Sequence, residues 1–356
     1  MARERPQGEL TVLVTGVGAP PGVSIFKALR QSALAPRIVA TDADPLSVGL
    51  FRADAAHVLP HVDRDEETYL ERLAELCLRE RVRLVCFGSE PELRRVARHR
   101  RRLEDQTGAR LVVNDARLVE LFLDKWATAC ALRARGLPAP DTVLAGDAAS
   151  VQGFLERHPF PRILKPRHGS GSKDLFKVRD AGELEVLTRY VPGAVLQEYL
   201  LPDDEEYTVG VYKSPRTGYV GQIAFRRNLA AGLTYKAEVV FDAEIEDVCR
   251  RVVETFDLWG PINVQLRKTT AGARIFEVNP RFSSSSVMRA YFGFNEAELC
   301  LRDLVLEEPI VPPTIRPGWS LRYWNEIYLA PGECGRGVAG PSLLPAGRVG
   351  STVDDF

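Results

Sequence analysis

Ile262-Asn263-Val264-Gln265-Leu266-Arg267-Lys268-Thr269-Thr270-Ala271-Gly272-Ala273-Arg274-Ile275-Phe276-Glu277-Val278-Asn279-Pro280-Arg281 decides how this chain is read. Two alternating runs flank a glycine-containing turn at Thr269 to Ala273, the pattern of a β-hairpin. With the hairpin centred near Ala271, Gln265 faces Glu277, Val264 faces Val278 and Leu266 faces Phe276. Directly opposed residues share a face, as do residues two apart. One face then collects Ile262, Val264, Leu266, Phe276 and Val278, and packs on a core. The other collects Asn263, Gln265, Arg267, Glu277 and Asn279. Glu277, Asn279 and Gln265 put three oxygen donors on one small patch, a set suited to Mg²⁺ that also takes substrate phosphate oxygens. Alternation alone is equally met by a solvent-facing polar sheet, and a one-residue slip in register would exchange the two faces.

Upstream, Leu10 to Thr15 is an apolar strand, followed by Gly16-x-Gly18-x-x-x-Gly22 and a helical pattern from Val23 to Leu29. Ile38 to Thr41 is a second strand, ending at Asp42 and Asp44. Tyr69 to Arg79 reads as a helix, Leu84 to Phe87 as a buried strand stopping at Gly88-Ser89-Glu90, and Leu111 to Val113 as another strand. Helices alternating with buried strands predict a doubly wound parallel α/β sheet. The pattern changes after Asn114. A helix from Ala116 to Arg135 ends at Gly136, a C-cap residue followed by Pro138 and Pro140. Arg162 to Lys165, Leu175 to Val178, Val195 to Tyr199, Tyr207 to Tyr212 and Tyr219 to Ala224 then read as strands of antiparallel α+β structure. Pro331 to Gly350 is rich in Gly and Pro and reads as an irregular tail.

The bulk properties set bounds on these readings. A chain of 356 residues, 45% apolar and 27% charged, suits two or three packed units. A net charge of −1 gives no global attraction to nucleic acid or a membrane surface. Met1 to Glu9 is charged without an apolar core, and no apolar run has the length of a membrane span. A cytoplasmic protein with neither nucleic-acid nor membrane partner is expected. Cys77, Cys86, Cys130, Cys249, Cys300 and Cys334 show no C-x-x-C spacing and read as reduced thiols. Arg94, Arg95, Arg98, Arg100, Arg101 and Arg102, flanked by Glu92, Glu104 and Asp105, read as a solvated helix face, with a site for an acidic partner as the alternative.

Glu277-Val-Asn279-Pro-Arg281-Phe-Ser283-Ser-Ser-Ser286, with Gln265 before it, resembles the metal-binding strand of the ATP-grasp superfamily. The closest likeness is to the carbamoyl-phosphate-synthase large-subunit branch and its stand-alone relatives, and it runs from about Leu10 to Tyr328. The resemblance implies an N-terminal Rossmann-like domain at 1–115, a linker helix and lid at 116–198, a catalytic subdomain at 199–330 and the tail at 331–356. It also implies ATP and Mg²⁺ as cofactors, with Mn²⁺ as the alternative ion. Glu277, Asn279 and Gln265 would hold the metal, and Arg281 would stabilise the transferring phosphoryl group. Lys165, ending a strand in Ile-Leu-Lys-Pro, and Lys125 in Leu-Asp-Lys-Trp would contact phosphates. Gly169, Ser170, Gly171 and Ser172 would form the phosphate-covering loop. Gln197, Glu198, Tyr199 and Leu200 match the adenine-recognising segment. Glu206 matches the ribose-binding acid, with Glu205 as its fallback. Arg226, with Arg227 beside it, stands where the family has a basic residue. Ser284, Ser286, Arg289 and Glu90 are candidate substrate contacts.

The chemistry implied is ligation of a small carboxylate to an amine through an acyl phosphate, possible in a homodimer as readily as in a monomer. Activation of bicarbonate or carbamate is the runner-up. The likeness departs from the family at Gly210, where some relatives carry an acid, and in the four serines after Phe282, where the synthase has an Arg. Two further readings compete: a non-catalytic nucleotide-binding protein, and an NAD-dependent oxidoreductase suggested by Gly16-x-Gly18 and Asp42. Pro20-Pro21 and the G-x-G-x-x-x-G spacing depart from the dinucleotide fingerprint.

Overall fold

The computed structural model describes residues 10–169 and 171–329. Ser170, Cys334 and the Gly/Pro-rich stretch at 331–356 lie outside the described residues. Strands β1 (Thr11–Thr15), β2 (Arg37–Asp42), β3 (Ala55–Val58), β4 (Leu84–Phe87) and β5 (Arg110–Val112) form a parallel sheet in the order β3-β2-β1-β4-β5. Helices α1 (Pro20–Arg30), α2 (Glu66–Arg79), α3 (Glu90–Ala97) and α4 (Arg100–Thr107) connect it. Leu13, Val39 and Val85 face α2 and α3, while Val12, Val14 and Ile38 face α1. The glycine turn is set by close packing. A Cβ on Gly22 would lie 2.1 Å from the Gly16 carbonyl oxygen, and one on Gly88 would lie 2.3 Å from Gly22 Cα. Only glycine lets α1 approach the strand ends this closely.

Arginines of the arginine-rich segment form ion pairs at the surface. Arg94 and Arg98 pair with Glu120, and Arg95 pairs with Asp63 and Glu66. The single helix expected over Ala116 to Arg135 is two, α5 (Ala116–Leu123) and α6 (Lys125–Ala134). Asp124 divides them with extended backbone, φ −100° and ψ 107°. Its carboxylate accepts from the amides of Trp126 and Ala127 at 3.0 Å and from the Arg167 guanidinium at 2.6–2.8 Å. An N-cap carboxylate outweighs the helical periodicity on either side of it.

A small antiparallel sheet follows, built from β6 (Thr142–Leu144), β7 (Arg162–Lys165), β8 (Phe176–Val178) and β9 (Val195–Glu198) in the order β6-β9-β7-β8. Helices α7 (Ala148–Arg157) and α8 (Ala181–Tyr190) cover it, and Phe154, Leu164, Val178 and Leu196 give it a core of its own. The third sheet is antiparallel: β10 (Glu206–Ser214), β11 (Gly218–Ala230), β12 (Leu233–Val240), β13 (Gly260–Thr269), β14 (Gly272–Asn279) and β15 (Trp319–Leu321), in the order β14-β13-β10-β11-β12-β15. One face packs Val209, Val264 and Val278 against Ile245 and Val252 of α9 (Ala243–Thr255). The other shares a core with α1, α10 (Ser286–Tyr291) and α11 (Glu296–Cys300) through Tyr212, Phe225, Phe282 and Phe294. The first and third sheets are thus joined by continuous apolar packing, while the small sheet stands on a separate core.

Candidate active site

The β13–β14 hairpin places Asn263 opposite Asn279, Val264 opposite Val278 and Gln265 opposite Glu277. Thr269 closes its turn, donating from Oγ1 to the Gly272 carbonyl at 2.9 Å and accepting from the Ala271 amide at 3.1 Å. A bulge follows Gln265, so Leu266 pairs with Ile275 rather than with Phe276. This corrects the apolar face. Ile262, Val264, Leu266, Ile275 and Val278 are buried in the core, whereas Phe276 is the extra residue and turns into a cleft on the opposite side.

That cleft, of about 420 Å³, lies among the three sheets. Gln265 and Glu277 line it, and Asn279 is buried beside them. Glu277 Oε1 accepts from Asn279 Nδ2 at 2.8 Å and from Gln265 Nε2 at 3.4 Å. One carboxylate and two amide side chains are therefore in mutual reach. Among the described residues no group of three His, Cys, Asp or Glu side chains could hold an ion. The donor set is hard, oxygen-only and singly charged, which fits Mg²⁺ completed by phosphate oxygens and does not fit a zinc site.

Lys165, at the end of β7, is buried and donates from Nζ to Gln197 Oε1 at 2.8 Å; Gln197 Nε2 donates in turn to Thr142 Oγ1 at 2.9 Å. The ammonium also sits 5.7 Å from the Phe276 ring centroid. Burial lowers its pKa to about 8 from 10.5; Glu277 and Glu206 oppose this shift and Lys125 adds to it. Lys125, the first residue of α6, donates from Nζ to the Gly169 carbonyl at 2.5 Å, and its amide donates to the Arg167 carbonyl at 2.9 Å. Gly169, Gly171 and Ser172 line the cleft, while Ser170 is outside the described residues. Gly171 meets the β11–β12 turn, where a Cβ on Gly232 would lie 2.2 Å from its carbonyl oxygen. Of the segment Gln197 to Leu200, Gln197 reaches the cleft through Lys165. The Glu198 carboxylate turns away to the Asp141 amide, Tyr199 accepts from Lys177, and the Leu200 carbonyl accepts from Arg267.

Glu206 lines the cleft and accepts from Arg227 Nη2 at 2.9 Å and Arg267 Nη2 at 2.7 Å. Glu205 pairs instead with Arg226. Arg226 is corrected as a cleft residue: it lies opposite Tyr207 on the other face of β11, held by Glu205 and Glu238. Arg227 takes its place, lining the cleft and donating to Gln265 Oε1 at 2.6 Å. Strand alternation separates these neighbours, and which of them faced the site depended on a register unknown from the sequence. Arg281 lines the cleft with Ser283 and Ser284, and donates to Glu90 Oε2 at 3.1 Å and to the Phe282 carbonyl at 3.0 Å. Ser286 and Arg289 are also corrected: both are fully buried, bonded to Glu296 and away from the cleft wall. Helix α10 directs them into the core rather than toward a second anion.

Pro20 and Pro21 line the cleft as well. They occupy the first positions of α1, where a missing N–H costs nothing. Sequence reasoning missed them as site residues; their place beyond the end of β1, where open α/β sheets present ligands, is the signal that could have found them. The Asp42 carboxylate is engaged within the turn, accepting from the amides of Gly18 at 2.8 Å and Asp44 at 3.0 Å.

A parallel α/β domain, a small antiparallel sheet and a larger antiparallel sheet enclosing a lysine-lined, acid-floored cleft make up the ATP-grasp fold. Residues 191–327 match the family described as ATP-grasp in the biosynthetic pathway with Ter operon. Residues 12–111 match the PylC-like N-terminal domain. The chain thus carries an ATP-grasp domain behind a PylC-like N-terminal domain. An uncharacterized protein of Sinorhizobium fredii is 30% identical over 193 residues, 48% of this chain and 38% of that protein. A D-alanine–D-alanine ligase of Paracidovorax citrulli is 26% identical over 211 residues, 52% of this chain and 62% of that protein. The chain therefore matches less than two thirds of the length of either relative. Among solved structures, N5-carboxyaminoimidazole ribonucleotide synthetase from Thermus thermophilus superposes with a TM-score of 0.66 at 19% identity, covering 96% of this chain and 92% of that one. An L-amino acid ligase from Bacillus licheniformis gives 0.62 at 18% identity, covering 88% and 78%. At these identities the superpositions show the fold.

Proposed function

We propose that this chain is an ADP-forming carboxylate–amine ligase. The observation that carries the reading is the convergence of Lys125, Lys165, Gln265, Glu277 and Arg281 on one cleft. Carboxylate is a poor electrophile, because its charge is delocalised and its oxygen leaves poorly. A carboxylate oxygen attacks the γ-phosphorus of ATP, and the bond to the β–γ bridging oxygen breaks to release ADP. The amine then attacks the acyl carbon, phosphate leaves, and the amine's proton passes to solvent. Lys165 and Lys125 hold the phosphates, and the glycine loop brings backbone N–H groups over them. Glu277, Asn279 and Gln265 would hold Mg²⁺, which supplies charge neutralisation on the transferring group. Arg281 offers a planar fork to the small carboxylate or the phosphoryl oxygens, with Ser284 adding a neutral contact. Glu206 is the ribose-binding acid in this reading. The 26% identity to a D-alanine–D-alanine ligase supports amide formation over bicarbonate activation.

The test is ADP release screened over amino acids and small acids, singly and in pairs, with mass spectrometry of the product. With the productive carboxylate, hydroxylamine is expected to trap a hydroxamate as ADP appears. ADP release without hydroxamate or any other acyl-derived product would reject the acyl phosphate.

A further inference from the structure

Beneath the hairpin lies a buried polar knot with no part in the chemistry above. Arg289 and Glu296 are both fully buried and pair from Nη1 to Oε1 at 2.9 Å. Arg289 Nη2 donates to Asn263 Oδ1 and, at 3.1 Å, to Thr208 Oγ1; Thr208 Oγ1 donates to the same Asn263 oxygen at 2.8 Å. Gly210 makes room for the guanidinium, since a Cβ there would lie 2.6 Å from Arg289 Nη1. A buried ion pair is weak evidence for stability, because desolvation offsets its attraction. Here it has a second consequence. Arginine has no acceptor, so the side of the Asn263 amide facing Arg289 must be the oxygen. The nitrogen then faces the other way, and Asn263 lines the cleft. It stands two residues from Gln265 on β13 and directly across from Asn279 on β14.

We propose that Arg289 and Glu296 are a positioning pair that locks the Asn263 amide with its nitrogen outward, making Asn263 a neutral hydrogen-bond donor to the transferring phosphoryl group of the bound nucleotide. The inference rests on the ATP-dependent reading of the cleft. It separates Asn263 from its neighbours on the same sheet face: in that reading Gln265, Glu277 and Asn279 would hold a cation, while Asn263 offers N–H to an anion. Gly210, the site of the departure from the acid carried by some relatives, is the gap through which the guanidinium reaches it.

Calorimetry with Mg·ADP and with the Mg complex of the non-hydrolysable ATP analogue AMP-PNP tests this. Binding of both by the wild type tests the underlying ATP reading by itself, and binding of neither would sink both. Asn263→Asp keeps an oxygen toward Arg289 but replaces the outward N–H with a second oxygen. It is expected to weaken AMP-PNP about tenfold or more, with ADP held within about threefold, the size of one lost hydrogen bond to a charged group. Thr208→Val removes one of the two donors holding the amide, and is expected to give a smaller loss with the same selectivity. The uncharged double variant Arg289→Met/Glu296→Gln is expected to lose the discrimination between the two nucleotides while its melting transition remains cooperative. Asn263→Asp binding AMP-PNP as well as wild type, or better, would mean that the amide presents its oxygen to the metal, and the proposal falls. Should the double variant not fold, Thr208→Val decides the positioning role: equal or no change for both nucleotides overturns it.

Discussion

Arg281 Nη2 donates to Glu90 Oε2 at 3.1 Å across a sequence separation of 191 residues, tying the start of α3 in the N-terminal domain to the residue two past the end of β14. A second guanidinium nitrogen is held by the Phe282 carbonyl. The fork is thus aimed before any ligand arrives, and preorganised charge is worth most where water is excluded. Arg281→Lys keeps the charge but loses the fork, and is expected to lower kcat about 10²-fold with Mg·ATP affinity held within about threefold. Glu90→Gln retains an acceptor oxygen and is expected to be milder. Steady-state kinetics on the productive carboxylate checks both. A loss of nucleotide affinity equal to the loss of kcat would reassign Arg281 to ATP binding.

Glu277 is held on one oxygen by the amides of Gln265 and Asn279. Glu277→Gln removes the only charge in this donor set, so turnover is expected to fall on the order of 10²-fold or more while the melting transition is unchanged. Wild-type turnover by Glu277→Gln at limiting Mg²⁺ would reject the metal assignment.

Where periodicity and local chemistry agreed, the sequence was legible. The strand β4 was read to its ends, and the pairing of Gln265 with Glu277 agrees with the reading centred on Ala271 only because the bulge restores that register beyond Leu266. What failed needed tertiary information. The bulge that frees Phe276 leaves no mark in an alternating run. Asp124 broke a continuous helical pattern by capping α6, and Arg167, 43 residues away, holds the same carboxylate. Arg226 and Arg227 are equivalent in sequence and differ only in which face of β11 they occupy. Arg289 was read as a candidate substrate contact because its partner Glu296 and the space over Gly210 come from other elements.

The N-terminal glycine turn is expected not to take NAD(P). Its glycines are used for backbone contact, and Asp42, the carboxylate a ribose would need, already accepts from Gly18 and Asp44. Fluorescence titration with NADH is expected to show no saturable binding below millimolar concentration; tight binding would overturn this use of the loop.

Lys165 gives the clearest pH dependence. Its burial lowers the pKa to about 8, so the folded protein releases this proton well before an unfolded lysine does. Between about pH 8 and 10.5 the unfolded state binds more protons, and stability contributed by this group rises with pH through that window. The charged form is a cost present in full below pH 8, about 3 kcal/mol at roughly 1.4 kcal/mol per pH unit. Binding runs in the opposite sense. Phosphate favours the ammonium, so Mg·ADP affinity is expected to fall as pH rises above about 8, with proton uptake on binding near that pH. Lys165→Met removes both effects. It leaves Gln197 Oε1 without its donor, which costs about 1–3 kcal/mol and offsets part of the gain at neutral pH. The decisive quantity is therefore the difference in unfolding free energy, wild type minus variant, measured in denaturant from pH 7.5 to 10. That difference is expected to climb with pH, while the variant binds Mg·ADP at least about tenfold more weakly at pH 7.5 and shows no further loss up to pH 9 attributable to this site. A flat difference across the range would mean that Lys165 titrates near its ordinary value, and that the cleft holds its charge without strain.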